Sequence, residues 1–222
     1  MEPKKALLIF DHDGTLNDSM VIFGPAMRKG IEWLHENGYE QVPFYPDEKI
    51  EKCLGLNSND IWRMLVEDLS DETMKKVTAI VGQEMERLMG EGYARWFPEV
   101  YPMLDALKEQ GYHMVILSNC QKKMAADYWE HFKMDRWFER FYECESYDFL
   151  PKTEIIKYIR KDYEGMRAIM IGDRSSDFAC AKAVNIPFIG CGYGFAFEGE
   201  LDGADAIAER PMEIVKIVRS LI

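Results

Sequence analysis

Two aspartates, Asp11 and Asp13, flank a single histidine directly after an apolar run over residues 6–10, and Gly14 and Thr15 follow at once. Carboxylates two residues apart beside a glycine suit a tight loop that aims both groups into one cleft. After a second apolar run, residues 114–117, stand a hydroxyl and an amide, Ser118 and Asn119. A third apolar run, residues 168–171, ends in Gly172-Asp173-Arg174-Ser175-Ser176-Asp177, which supplies two more carboxylates, and Lys152 opens a helical stretch between the second and third runs. If the three runs are neighbouring strands, three or four carboxylates, a hydroxyl and one ammonium meet in one crevice. That much negative charge is unfavourable unless a divalent cation and a lysine stand among it, and hard oxygen ligands indicate Mg²⁺.

The pattern around these residues gives the elements that must hold them. Residues 4–10 read as a buried parallel strand delivering a polar loop at its carboxyl end. From residue 17 to about 93 the character is helical with no convincing strand. Ser19 stands as the cap of a helix ending before Gly38, Pro46-Asp47 opens a short one closed by Gly55, Ser58 or Asn59 starts another through Leu65, and Ser70-Asp71-Glu72 starts one reaching toward Gly90. After Pro98 and Pro102, helices over residues 103–110, 122–132, 152–163, 177–184 and 211–221 alternate with strands over 113–117, 168–171 and 186–189. Such alternation predicts a Rossmann-like α/β core with a parallel sheet, ligands binding at the carboxyl ends of its strands. The expected division is a core of residues 1–16 and 97–222 with an inserted all-helical domain over 17–96.

The 222 residues are 47% hydrophobic and 30% charged, with 39 acidic against 27 basic side chains and a net charge of −12. This describes a folded chain with enough apolar residues for a core. The acidic excess argues against a nucleic-acid partner, because binding there depends on Lys and Arg neutralising phosphates. Apolar runs far below the ~20 residues of a membrane span argue against a membrane partner. Five cysteines without a CxxC pair suggest neither a zinc site nor a disulfide framework, and a cytoplasmic setting is the default expectation. No protein partner is implied.

At this point the chain resembles the haloacid dehalogenase-like superfamily of phosphohydrolases, and within it the phosphoglycolate-phosphatase group. The likeness is carried in order by Phe10-Asp11-His12-Asp13-Gly14-Thr15-Leu16, by Leu117-Ser118-Asn119, by Lys152 and by residues 172–177, with Gly190-Cys191-Gly192-Tyr193-Gly194-Phe195 and Gly203-Ala204-Asp205 similar to the group's closing strand and loop. The resemblance implies Asp11 as nucleophile, forming an aspartyl-phosphate, and Asp13 as general acid and then base, its backbone carbonyl ligating Mg²⁺. It implies that Ser118, Asn119 and Lys152 bind phosphate, and that Asp173 binds the metal directly. Asp177 would bind through water or orient Lys152. The substrate would be a small phosphorylated metabolite, phosphoglycolate-like or a sugar phosphate. His12, where an apolar or aromatic residue is more usual, reads as a loop residue, and Pro151 precedes rather than follows the lysine.

The insert resembles the small helical caps of this superfamily, and residues 54–60 look like a cap loop, with Gly55 for the turn and Asn57 among the polar groups to touch substrate. Arg28, Arg63 and Arg87 are candidates to meet a second anionic group. Trp33, Trp62 and Trp96 read as helix-packing residues of the insert. Three alternatives stand beside a phosphatase. A phosphosugar mutase would carry a histidine where Phe23 stands. A phosphonoacetaldehyde-type hydrolase would use a lysine such as Lys52 before Leu54-Gly55 but would lack Asp13. A phospho-accepting signalling protein would carry nothing equivalent to Asp13.

Overall fold

The computed structural model describes residues 6–222, so the first two residues of the strand expected from residue 4 lie outside the described residues. Close Cα packing divides the chain into two units, one of Met1–Asp18 with Trp96–Ile222 and one of Ser19–Arg95.

The first unit holds a six-stranded sheet, every pairing parallel, in the order β3-β2-β1-β4-β5-β6. Its strands are β1 (Leu7–Phe10), β2 (His113–Ser118), β3 (Arg140–Glu143), β4 (Ala168–Gly172), β5 (Phe188–Cys191) and β6 (Ala206–Ala208). All four residues of β1 are fully buried, as a central parallel strand covered on both faces must be. Between the strands run α5 (Val100–Glu109), α6 (Lys122–His131), α7 (Lys152–Asp162) and α8 (Ser175–Ala183), and α9 (Pro211–Leu221) closes the unit. Leu7, Ile9, Val115, Ile155, Ile159, Met170 and Phe188 belong to one continuous apolar cluster. The chain leaves and re-enters this unit through adjacent residues, since Asn17 and Trp96 form an antiparallel bridge.

Several differences from the sequence reading have physical causes. β3 was not anticipated: its ends are Arg140 and Glu143, and as the edge partner of β2 it is exposed at its start and buried only over its second half. β5 begins two residues late because Ile186 N–H still bonds the Ala181 carbonyl at the end of α8, Asn185 turns at φ 51°, and Pro187 has no N–H. α5 begins three residues early, since Pro102 falls in its first turn, where a missing N–H leaves no bond unmade. Trp96 belongs to the first unit, stacked on Phe132 with ring centroids 4.8 Å apart, rather than to the insert.

The second unit is helical: α1 (Met20–Glu36), α2 (Asp47–Glu51), α3 (Ser58–Leu65) and α4 (Asp71–Gly90). Ser70 accepts the Thr73 N–H as the cap of α4, whereas among the described residues Ser19, at the corresponding place before α1, caps no N–H of that helix with its side chain. α1 lies close against α4 because Gly30 has no side chain, where a Cβ would sit 2.7 Å from Val81. Trp62 ties α3 to α4 through its indole N–H, 3.0 Å from Thr78 Oγ1. No helix among the described residues is long and apolar enough to cross a membrane.

Candidate active site

The sheet order makes β1 the neighbour of both β2 and β4, so the loops after these three strands open at one edge. Phe10 is level with Ile116 and with Ile171, which sets Asp11 beside Leu117 and Gly172, one residue short of Ser118 and Asp173. Asp11 N–H extends the ladder by one bond, to the Ile171 carbonyl at 2.8 Å.

Asp11, Asp173 and Asp177 each present an oxygen within 4.8 Å of the others. Lys152 stands among them, Nζ 2.7 Å from Asp11 Oδ1 and 2.9 Å from Asp177 Oδ1. All four are buried, Lys152 at 5% exposure and the aspartates at 2% or less. Three carboxylates and one ammonium leave two negative charges unbalanced where water cannot screen them. Burial first, and then the charge of Asp177, push the Asp11 carboxyl well above the usual carboxylate range against the opposing pull of Lys152. The same two causes push Asp173 up to about 7. For Lys152 burial pulls downward, and the Asp11 and Asp177 carboxylates outweigh it, raising the ammonium above its ordinary value. An all-oxygen set with an excess of two charges fits a hard divalent cation.

The carboxylates are held in place one by one. Asp11 Oδ1 accepts the His12 N–H at 2.7 Å as well as Lys152, so among the described residues both contacts fall on the same oxygen. Asp173 Oδ1 accepts from Thr15 Oγ1 at 3.2 Å and its Oδ2 from the Phe195 N–H at 2.9 Å. Asp177 Oδ2 accepts the Arg174 N–H at 3.1 Å, which starts α8 two residues earlier than the sequence suggested and turns Oδ1 to Lys152. Gly14 turns at φ 82°, and both it and Gly194 leave the space that Asp173 fills. Thr15, Phe195 and Arg174 are supports whose role does not show in the sequence. Backbone N–H donors carry no residue-type signal, and only the glycines at 192 and 194 marked the Phe195 loop.

Asp13 is one-fifth exposed at its side chain; its Oδ1 lies 3.3 Å from Asn17 Nδ2 and 3.4 Å from His12 Nδ1. Ser118 is buried and its Oγ accepts the Cys120 N–H at 3.2 Å, which leaves the hydroxyl proton able to donate. The Asn119 carbonyl accepts from Cys144 Sγ at 3.0 Å, fixing that loop. The five cysteines are free thiols.

The insert candidates have local partners. Asn57 caps α3: its Oδ1 accepts the Asp60 N–H at 3.0 Å and its Nδ2 donates to Asp60 Oδ2 at 2.7 Å. Gly55 makes the preceding turn at φ 83°. Arg28 pairs with Asp47, Arg63 reaches Asp60 at 4.0 Å, and Arg87 pairs with Glu84 at 2.7 Å and Glu91 at 2.5 Å.

The family model described as haloacid dehalogenase-like hydrolase matches residues 8–191, and the chain belongs to that family. A 5'-nucleotidase of Pseudomonas aeruginosa is 32% identical over 123 residues, a match spanning 54% of this chain and 55% of that protein. A phosphoglycolate phosphatase of Colwellia psychrerythraea is 24% identical over 210 residues, with 90% of this chain and 89% of that protein covered. Among solved structures, one described as a predicted phosphoglycolate phosphatase from Haemophilus somnus superposes with a TM-score of 0.83 at 20% identity, covering 98% of this chain and 99% of that one, and so shares the fold.

Proposed function

We propose that the chain, a phosphatase of this family, is a Mg²⁺-dependent phosphomonoesterase that acts through an aspartyl-phosphate on a small phosphorylated metabolite, phosphoglycolate-like or a sugar phosphate. The observation that carries this reading is the set of three buried carboxylates, two of them paired with Lys152, with Asp13 on the same loop as Asp11.

Asp11 attacks phosphorus with Oδ2, because Oδ1 is taken by Lys152 and the His12 N–H. The P–O ester bond breaks and Asp13 gives its proton to the departing oxygen. Asp13, now a carboxylate, takes a proton from water; the water oxygen attacks the phosphoryl, the bond to Asp11 breaks, and inorganic phosphate leaves with the starting carboxylates restored. Ser118 and Asn119 donate to phosphoryl oxygens, and Lys152 offsets the charge spread over them. Asp11, the Asp13 carbonyl, Asp173 and Asp177 would hold the Mg²⁺, whose chemistry is to balance their charge and that of the transferring group. Choice of leaving group is assigned to the helical unit, at the turn of Gly55 and Asn57.

The test is steady-state release of phosphate from an aryl phosphate, with Mg²⁺ and with excess EDTA. Many turnovers with Mg²⁺ and none with EDTA are expected. Release of at most one equivalent would favour a phospho-accepting signalling protein, and full activity in EDTA would overturn the metal assignment.

A further inference from the structure

His12 is fully buried, and among the described residues neither of its ring nitrogens has a hydrogen-bond partner. Leaving a buried polar group unmatched is unfavourable. The surroundings would accept an apolar ring, since Tyr128, Phe141 and Phe132 stand around the imidazole at centroid distances of 4.4, 5.7 and 6.3 Å. The polar atom within reach is Asp13 Oδ1, 3.4 Å from Nδ1. That is slightly beyond the roughly 2.7–3.2 Å of a formed N–H···O bond. Asn17 Nδ2 approaches the same oxygen at 3.3 Å. Two donors therefore converge on one carboxylate oxygen at distances a small rotation of Asp13 would close, and hydrogen bonds of catalytic groups commonly tighten only once substrate is bound.

The tautomer follows from the contact. A neutral imidazole carries one N–H. Placed on Nδ1 it faces Asp13 attractively, whereas placed on Nε2 it would leave the Nδ1 lone pair against a carboxylate oxygen. The backbone keeps the ring from moving away, because His12 N–H bonds Asp11 Oδ1 at 2.7 Å and the His12 carbonyl accepts from both Leu16 N–H and Asn17 N–H at 2.9 Å.

We propose that His12 is a positioning residue for Asp13, its Nδ1–H donating to Asp13 Oδ1 during the reaction. With Asn17 on the same oxygen, negative charge is favoured on Oδ1 and the transferable proton is kept on Oδ2. His12 touches no substrate and transfers no proton. The inference rests on the reading of Asp13 as general acid and base.

The experiment compares wild type, Asp13→Ala, His12→Asn and His12→Leu, each as the full chain with Mg²⁺, on an alkyl phosphate and on an aryl phosphate with a good leaving group. Asn carries an N–H near the place of Nδ1; Leu carries none. General acid catalysis contributes about 10²–10⁴-fold, so losing its alignment through His12→Leu is expected to lower kcat for the alkyl phosphate by roughly 10- to 100-fold, with kcat for the aryl phosphate changed less than about threefold and KM nearly constant for both. His12→Asn is expected to restore the alkyl rate to within about threefold of wild type. Equal losses on both substrates in His12→Leu, or no rescue by Asn, would overturn the role of His12. If Asp13→Ala shows no bias between the substrates, the reading of Asp13 itself fails; if it shows the bias and His12→Leu does not, only the inference fails. Should His12→Leu not fold, imidazole ¹⁵N spectra of the wild-type protein decide. The chain has four histidines, and the His12→Asn spectrum identifies the signal. A His12 ring protonated at Nδ1 that shifts on adding orthovanadate is expected, and protonation at Nε2 alone would overturn the proposal.

Discussion

A Cβ on Gly14 would lie 2.1 Å from Oδ2 of Asp173, so the loop after β1 and the carboxylate after β4 share one volume only because residue 14 has no side chain. Gly14→Ala therefore meets two obstacles, a left-handed backbone costing roughly 1–2 kcal/mol and a clash with a buried carboxylate. The expected result is a lower Tm together with a loss of about 10²-fold in kcat/KM, the scale at which small misplacements of catalytic groups act. Normal activity in Gly14→Ala would show that Asp173 can shift without consequence.

Asp11→Asn removes one charge from the crowded cluster while keeping its shape. Turnover should fall by roughly 10⁴-fold or more, as for other nucleophile deletions. Stability should not fall with it, because burial and Asp177 already oppose the ionised Asp11. Thermal melts and aryl phosphate kinetics on the same preparation check both halves; retained kcat would remove Asp11 from the mechanism.

The raised pKa of Asp173, about 7 against an ordinary 3.8, fixes a sign for the metal-free protein. Between those values the folded state binds more protons than the unfolded one, so stability should decrease as pH rises from about 4 to about 7. Mg²⁺ should reverse this by favouring the ionised carboxylates, raising Tm more at pH 8 than at pH 5. Ca²⁺, with longer bonds and more ligands, should restore activity poorly. Calorimetry across pH in EDTA and in Mg²⁺ is the measurement, and a metal-free Tm that climbs from pH 4 to 7 would contradict it.

Lys152→Met keeps an unbranched side chain, one atom shorter, but leaves three buried carboxylates without their ammonium. Breaking a buried pair by removing one partner costs about 3–5 kcal/mol, so the variant should unfold at markedly lower urea in EDTA. Mg²⁺ should recover part of that stability without recovering turnover, and full activity of the folded variant would argue against a phosphate-binding role.

Asn57 needs a more careful substitution than alanine, because it caps α3. Asn57→Ala should cost about 0.5–2 kcal/mol from the cap alone. Asn57→Ser keeps an oxygen for the Asp60 N–H and removes only the amide. A role in leaving-group choice predicts that Asn57→Ser reorders a metabolite panel while kcat for a small aryl phosphate is unchanged. An unaltered order would confine Asn57 to capping.

How much of this was legible beforehand depended on whether the signal lay in residue type. Asp11, Asp173 and Asp177 were readable because carboxylates after apolar runs are conspicuous, Lys152 only through its place in the order of motifs, and β1, β2 and β4 because buried parallel strands are apolar throughout. β3 escaped because an edge strand with a charged residue at each end has neither a run nor a clean alternation. The Asn57 cap is ambiguous in the sequence: Asn three residues before Asp60 is a capping pattern, yet glycine and polar residues suit a binding loop equally well. The second support of Asp173 is a backbone N–H, and Phe195 as a residue type says nothing about it.

The bridge between Asn17 and Trp96 has a consequence for the history of such a chain. Because the two ends of the helical segment meet as neighbours, residues 19–95 are attached like a side loop, and the sheet is continuous in space without them. Insertions with closely spaced ends are the kind that folded chains accept. The segment can therefore be lengthened, trimmed or exchanged for an unrelated one while the strands that carry the carboxylates keep their register, so that one cluster of acidic groups can be inherited with many different inserted segments.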